Sequence, residues 1–149
     1  MLIMAASCTT TNKEYISVEG QALGTFVQVK CNTDISVDEI KCDISEIDQE
    51  MKASMSIFEQ ESLISRLNRN ECDSLDSHIA ANLALAKRYY ELSNGYYDVT
   101  VKPLTSAWGF AAKGEKCNNP NIDSLLEFVG FDKIAINDHR ITKSDSRIQ

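Results

Sequence analysis

The sequence predicts an α+β fold with antiparallel strands and packed helices. Three patterns predict it. Apolar residues alternate with period two near the start of the chain. Two central stretches repeat apolar residues at steps of three and four, and two short alternating runs flank a turn signal near the end.

Tyr15 to Cys31 carries the first strand signals. Leu23, Thr25, Val27, Val29 and Cys31 fall on one face, with Phe26, Gln28 and Lys30 opposite. Gly20 and Gly24 interrupt the run, which predicts a bulge or a close approach to the backbone. Ser36-Val37-Asp38-Glu39 has the form of a capping box. Behind it Val37, Ile40, Ile44, Ile47 and Met51 make an apolar stripe, with Asp38, Glu39, Asp43, Glu46 and Glu50 on a solvated face. A second helix is predicted from Ser77 to about Leu92, with Ile79, Leu83, Ala86 and Tyr90 as its stripe and Asn94-Gly95 as its stop. Asn121 caps a short third helix through Val129, ended by Gly130. Ile134-Ala135-Ile136 and Arg140-Ile141-Thr142 alternate around Asn137-Asp138, the pattern of a β-hairpin.

Of 149 residues, 43% are hydrophobic and 25% charged, an ordinary globular balance. Fifteen Lys and Arg against 22 Asp and Glu give a net charge of −7, and the longest basic patch is Lys87-Arg88. Phosphate backbones demand a cationic face, so nucleic acid is not an expected partner. The cysteines are Cys8, Cys31, Cys42, Cys72 and Cys117. None forms a Cys-x-x-Cys pair, and only His78 and His139 could join them, so structural zinc is not expected. The last four read as buried free thiols. Cys8 differs, because Met1-Leu2-Ile3-Met4-Ala5-Ala6-Ser7 is an apolar run ending in small residues directly before it. Ala-Ala-Ser-Cys resembles a bacterial lipobox, in which the cysteine thiol is acylated, and Thr9 to Lys13 would be a polar tether. No basic segment precedes it, and the apolar run is short against the roughly 7–15 residues of a usual signal. The alternative is an N-terminus without meaning. Residues 1–14 are therefore read as a lipoprotein signal remnant and tether, and 15–149 as one domain or part of one.

Reaction signatures are mostly missing. No phosphate-binding Gly-x-x-x-x-Gly-Lys loop is present (Lys113-Gly114 lacks the upstream glycine), nor is Gly-x-Gly-x-x-Gly, His-Glu-x-x-His or Gly-x-Ser-x-Gly. His78 near a helix start reads as a surface imidazole, and His139 in a turn as structural. Segments read as loops remain. One runs from Ser54-Met55-Ser56-Ile57-Phe58 into Glu61 to Asn68, and the other spans Asn94 to Leu104 with Ala107 to Phe110. Their aromatic residues suit a pocket for a flat ring system, or a core or interface, and patterning alone favours the core or interface.

Taken in order, these blocks are more specific than any one of them. Gly20-Gln21-Ala22-Leu23-Gly24-Thr25-Phe26 resembles the Gly-x-x-Met-Gly-Thr segment of the ApbE-like FAD:protein FMN transferase family. Ser56-Ile57-Phe58 and Ser62 to Asn68 are similar to its Ser-x-Tyr and Ser-x-Ile-Ser-x-Leu-Asn block. Gly95-Tyr96-Tyr97-Asp98-Val99-Thr100-Val101-Lys102-Pro103-Leu104 and Trp108-Gly109-Phe110 resemble its Gly-x-Phe-Asp-x-Thr-x-x-Pro-Leu and Trp-Gly-Phe.

The resemblance implies the N-terminal half of a T-fold-related flavin transferase domain. It implies Mg²⁺-dependent transfer of FMN from FAD to a Thr or Ser hydroxyl of a target flavoprotein, with release of AMP. Leu23 would line the FAD site in place of methionine, and Phe58 would meet the flavin nucleotide in place of tyrosine. Tyr96, Tyr97 and Asp98 would carry the Gly-x-Phe-Asp contact, Asp98 as an acceptor for adenine or ribose protons. The family's Asp-Leu-Gly-Gly-Ile-Ala-Lys-Gly-Tyr segment and its later Asp and Thr metal ligands do not occur here. No residue present is assigned as catalytic or as a metal ligand, and Mg²⁺ ligands are expected in a missing C-terminal half. Together with the lipobox, the resemblance implies a lipid anchor in the bacterial envelope, on its periplasmic or outer face. The alternatives are a non-catalytic FAD-binding lipoprotein and an inactive fragment.

Overall fold

The computed structural model describes residues 14–110 and 119–149. Cys8, its tether, Lys113-Gly114 and Cys117 lie outside the described residues. The chain divides into two compact units, Met1–Asp48 and Gln49–Gln149. The fold is α+β, with antiparallel strand pairs and helices, as the periodicities predict.

In the first unit, β1 (Ile16–Ala22) pairs antiparallel with β2 (Thr25–Cys31) in a register from Ile16 opposite Cys31 to Ala22 opposite Thr25. Val27, Val29 and Cys31 are half-buried as the alternation predicts, and Val18 and Ala22 are buried on β1. Leu23 departs from prediction. It belongs to no strand face, because Leu23 and Gly24 form the two-residue connection, with φ of 53° and 74°. Two positive φ values are what a type I′ hairpin loop requires. Gly24 thus serves a turn, and the unbroken register through Gly20 leaves no bulge there.

Helix α1 (Val37–Met55) starts where Ser36 Oγ accepts from the Glu39 amide at 3.2 Å. Its predicted stripe is uneven: Ile40 is buried, Ile44 and Met51 are half-buried, and Val37 and Ile47 are exposed. Cys42 is exposed rather than buried, being off the stripe, whereas Cys31 and Cys72 are half-buried. The unit boundary falls within this helix, after Asp48.

The second unit holds the main core. Helix α2 (Leu63–Asn68) replaces part of a predicted loop. Ser62 caps it by accepting from the Ser65 amide at 3.2 Å. Helix α3 (Ser77–Leu92) is capped by Asp76, which accepts from the Ile79 amide at 2.9 Å. Leu67, Leu75 and Ile79 form the buried cluster, with Leu63, Ile64, Leu83 and Ile141 packed against it. Helix α3 stops as predicted: Asn94 and Gly95 take positive φ, and the Gly95 amide donates to Tyr90 O at 2.9 Å.

Helix α4 (Lys102–Ala107) was also expected as loop. Helix α5 (Ile122–Leu126) is capped by Asn121 and ends before the predicted Val129. A 3₁₀ turn at Phe131–Lys133 leads into β3 (Ile134–Asn137), which pairs antiparallel with β4 (Arg140–Lys143). The loop between them is Asp138-His139, both at positive φ, one residue later than Asn137-Asp138. The two strand pairs are separate two-stranded sheets. Residues 73–75 lie beside β4, where the Leu75 amide donates to His139 O and the Ile141 amide to Asp73 O, at 2.7 and 2.8 Å.

Candidate functional site

The aromatic residues of the two loop blocks are largely not core. Phe58 is 75% exposed, Tyr96 96% and Phe110 81%, so these three are not core residues. Phe58 lies on the turn between α1 and α2, where its amide donates to Ser56 Oγ at 3.3 Å. Ser56 O in turn accepts from the buried Ser62 hydroxyl at 2.6 Å, which ties this turn to the α2 cap.

Tyr96 and Tyr97 follow α3. The Tyr97 amide donates to Ser93 Oγ at 2.9 Å, and its ring meets Tyr89 edge-on with centroids 6.1 Å apart. Among the described residues the other ring pair is Tyr90 with Phe131, so Phe58 and Tyr96 present unstacked faces. An exposed, unstacked ring is available to a flat ligand.

Asp98 sits differently. Its Oδ1 accepts from the Thr100 amide at 2.8 Å and the Thr100 hydroxyl at 2.6 Å, while Oδ2 accepts from the Phe131 amide at 3.0 Å. Thr100 Oγ1 accepts in turn from the Gly130 amide at 2.7 Å. Asp-x-Thr spacing signals a local side-chain-to-backbone turn. Its pairing with Gly130 and Phe131, thirty residues away, had no sequence signal.

Leu23, in the first unit, is 55% exposed, and its amide donates to Asp48 Oδ1 at 2.7 Å. In the second unit a cavity of about 300 Å³ is lined by residues including Ile57, Leu67, Leu83, Val101, Lys102 and Lys143. None of Phe58, Tyr96, Tyr97 and Asp98 lines it. Burial pushes both lysine ammonium groups below their ordinary range, and the Lys102 charge pushes Lys143 further the same way. Lys143 still donates to Leu67 O at 2.7 Å and Asn70 Oδ1 at 3.0 Å. Among the described residues no three His, Cys, Asp or Glu side chains come together as a metal-holding group.

Residues 23–149 match the ApbE family. The chain belongs to that family. The matched range takes in Leu23, Phe58, Tyr96, Tyr97 and Asp98. The chain is 30% identical to the FAD:protein FMN transferase of Haemophilus influenzae, over 94% of this chain and 43% of that protein. It therefore spans about half the length of the ApbE relatives it matches, or less. The flavin transferase ApbE from Vibrio cholerae has the same fold over 91% of this chain, with TM-score 0.80 and 20% identity. That match covers 47% of the Vibrio chain. The ApbE protein of Thermotoga maritima matches with TM-score 0.72 and 25% identity, over 87% of this chain and 45% of that one.

Proposed function

We propose that this chain is the flavin-recognising part of an FAD:protein FMN transferase. The observation that carries the proposal is the similarity to the Haemophilus influenzae enzyme along 94% of the chain. The exposed rings of Phe58, Tyr96 and Tyr97 support it. Rings presented to solvent suit stacking on an isoalloxazine or adenine system. For Leu23, in the other unit, a role toward FAD is proposed on the family resemblance of its segment alone.

In the proposed reaction a Thr or Ser hydroxyl oxygen of a target flavoprotein attacks the FMN phosphorus of FAD. The new P–O bond forms as the pyrophosphate P–O bond breaks, AMP leaves with the bridging oxygen, and the hydroxyl proton passes to solvent or phosphate. Such transfers depend on positioning and charge neutralisation. Family resemblance implies Mg²⁺ for the charge. On the same resemblance, its ligands are proposed to lie in the part of the ApbE fold that this chain does not span. No residue of this chain is assigned to the bond-making step.

A binding-only role is the second reading. Phe58 in place of the family's usual tyrosine keeps the ring face and lacks the hydroxyl, a change that suits holding FAD more than turning it over. Ala5-Ala6-Ser7-Cys8 supports a further proposal, that the protein is lipid-anchored in the bacterial envelope.

Flavin fluorescence and AMP release, followed together with FAD and Mg²⁺, test the proposal. FAD binding without AMP is the expected result for this chain. AMP release would show that the chain carries its own reaction centre, and failure to bind FAD would overturn the recognition role.

A further inference from the structure

Asp98 and Thr100 are joined in a closed set of hydrogen bonds. Asp98 uses both carboxylate oxygens, accepting two bonds from Thr100 and one from the Phe131 amide, at 2.6 to 3.0 Å. Thr100, 4% exposed, donates its one hydroxyl proton to Asp98 and accepts from the Gly130 amide at 2.7 Å. Each group has one orientation that satisfies its neighbours, and an unmade bond at a buried group is costly. Gly130 reaches this position at φ 147°, and a Cβ there would lie 2.5 Å from Asp132 Oδ1.

This set fixes one end of the tyrosine turn. The other end is fixed at the close of α3 by Gly95 N to Tyr90 O and Tyr97 N to Ser93 Oγ, both at 2.9 Å. Tyr96 and Tyr97 are thus exposed side chains on a backbone held on both sides. A ring displayed in one place binds a flat ligand without first being ordered.

We infer that Asp98 and Thr100 are positioning residues. They clamp the Tyr96-Tyr97 turn to Gly130-Phe131 so that the rings meet a flat ligand. This rests on the flavin reading above and adds a positioning role to the ligand-acceptor role that family resemblance implies for Asp98.

Three variants of the full chain test it. Thr100→Val keeps the shape and removes the hydroxyl. Asp98→Asn sets an amide donor where one oxygen accepted. Thr100→Ser keeps the hydroxyl and serves as the rescue. Amide hydrogen exchange without ligand is read first. Protection at Gly130 and Phe131 is expected to fall roughly tenfold or more in Thr100→Val and Asp98→Asn and to return in Thr100→Ser. Unchanged protection in the first two overturns the clamp.

Affinities for FAD and for riboflavin are then compared. Positioning predicts that both fall by the same factor, roughly tenfold, with Thr100→Ser close to wild type. A loss for FAD alone would place Asp98 against the adenosine or phosphate portion and overturn the inference. A wild-type chain that binds neither flavin ends the flavin reading and the ligand half of this inference with it. The exchange measurement still decides the clamp.

Discussion

Leu23 occupies a backbone conformation that disfavours it. A side chain with a Cβ at positive φ costs about 1–2 kcal/mol, and the first position of a type I′ loop normally goes to Asn or Gly. A strained residue retained at an exposed turn is a reason to look for a role there. Leu23→Asn, which creates the favoured Asn-Gly pair, is expected to stabilise the hairpin by about 1 kcal/mol. FAD affinity is expected to drop in the same variant if Leu23 meets the ligand. Denaturant titration and flavin binding on one preparation read both effects, and unchanged affinity would remove Leu23 from the site.

His78 gives a pH signature. Its Nε2 lies 2.8 Å from Glu50 Oε1, and this hydrogen bond holds the imidazolium above its ordinary range, against a smaller desolvation effect. A raised folded-state pKa stabilises the fold fully below the ordinary histidine value of about 6.5. That contribution is lost as pH rises through the raised value. The gap in urea midpoint between wild type and His78→Gln is therefore expected to be largest in mild acid and to close above neutrality. A constant gap across that range would show that the pair's charge contributes nothing.

Helix α2 shows how far an element could be read. Six residues give too few turns for a three-and-four repeat to register, and the segment reads as loop. Its cap was visible in principle, since Ser62 stands three residues before the Ser65 amide it binds. Helix α4 had less to show: it has no side-chain cap, and Pro103 lies in its first turn. Helices α1 and α3 were legible because sixteen or more residues carry the pattern, helped by the Ser36 cap of α1 and the Asn94-Gly95 stop of α3. The second hairpin was legible as alternating runs, with its connecting residues displaced by one position. The first run read as strand with a bulge, and its Leu23-Gly24 turn was not read. Loop position depends on which pair of residues can share positive φ, a property periodicity does not carry.

Leu67 is the element-scale test. It is 3% exposed at the centre of the cluster with Leu75 and Ile79, though its segment carried no periodic signal. Leu67→Ala is expected to cost about 2–5 kcal/mol, because the removed atoms leave a cavity that the surrounding helices fill only in part. Equilibrium unfolding measures it. A cost below about 1 kcal/mol would mean that α2 does not anchor this core.

At the scale of the molecule, the candidate site was legible as an ordered set of motifs. Its division of labour was not. Phe58, Tyr96 and Asp98 look alike in sequence as loop residues, and only the hydrogen bonds separate the displayed rings from the clamp. The anchor proposed at Cys8 has its own test. Labelled palmitate is expected to enter the protein in a bacterial host, and Cys8→Ser is expected to abolish incorporation and move the protein to the soluble fraction. Incorporation that survives the substitution would rule out Cys8 as the acylated residue.

The strand pairs have a practical consequence. Each of the two sheets has only two strands, so every strand among the described residues is an edge strand along at least part of its length. Open edges can recruit strands from neighbouring molecules, and charged residues such as Glu19 and Lys30 blunt that tendency. Preparations should therefore thicken with concentration before they unfold with heat. Light scattering should rise most steeply near the isoelectric point of about 4.8, where the net repulsion between molecules vanishes.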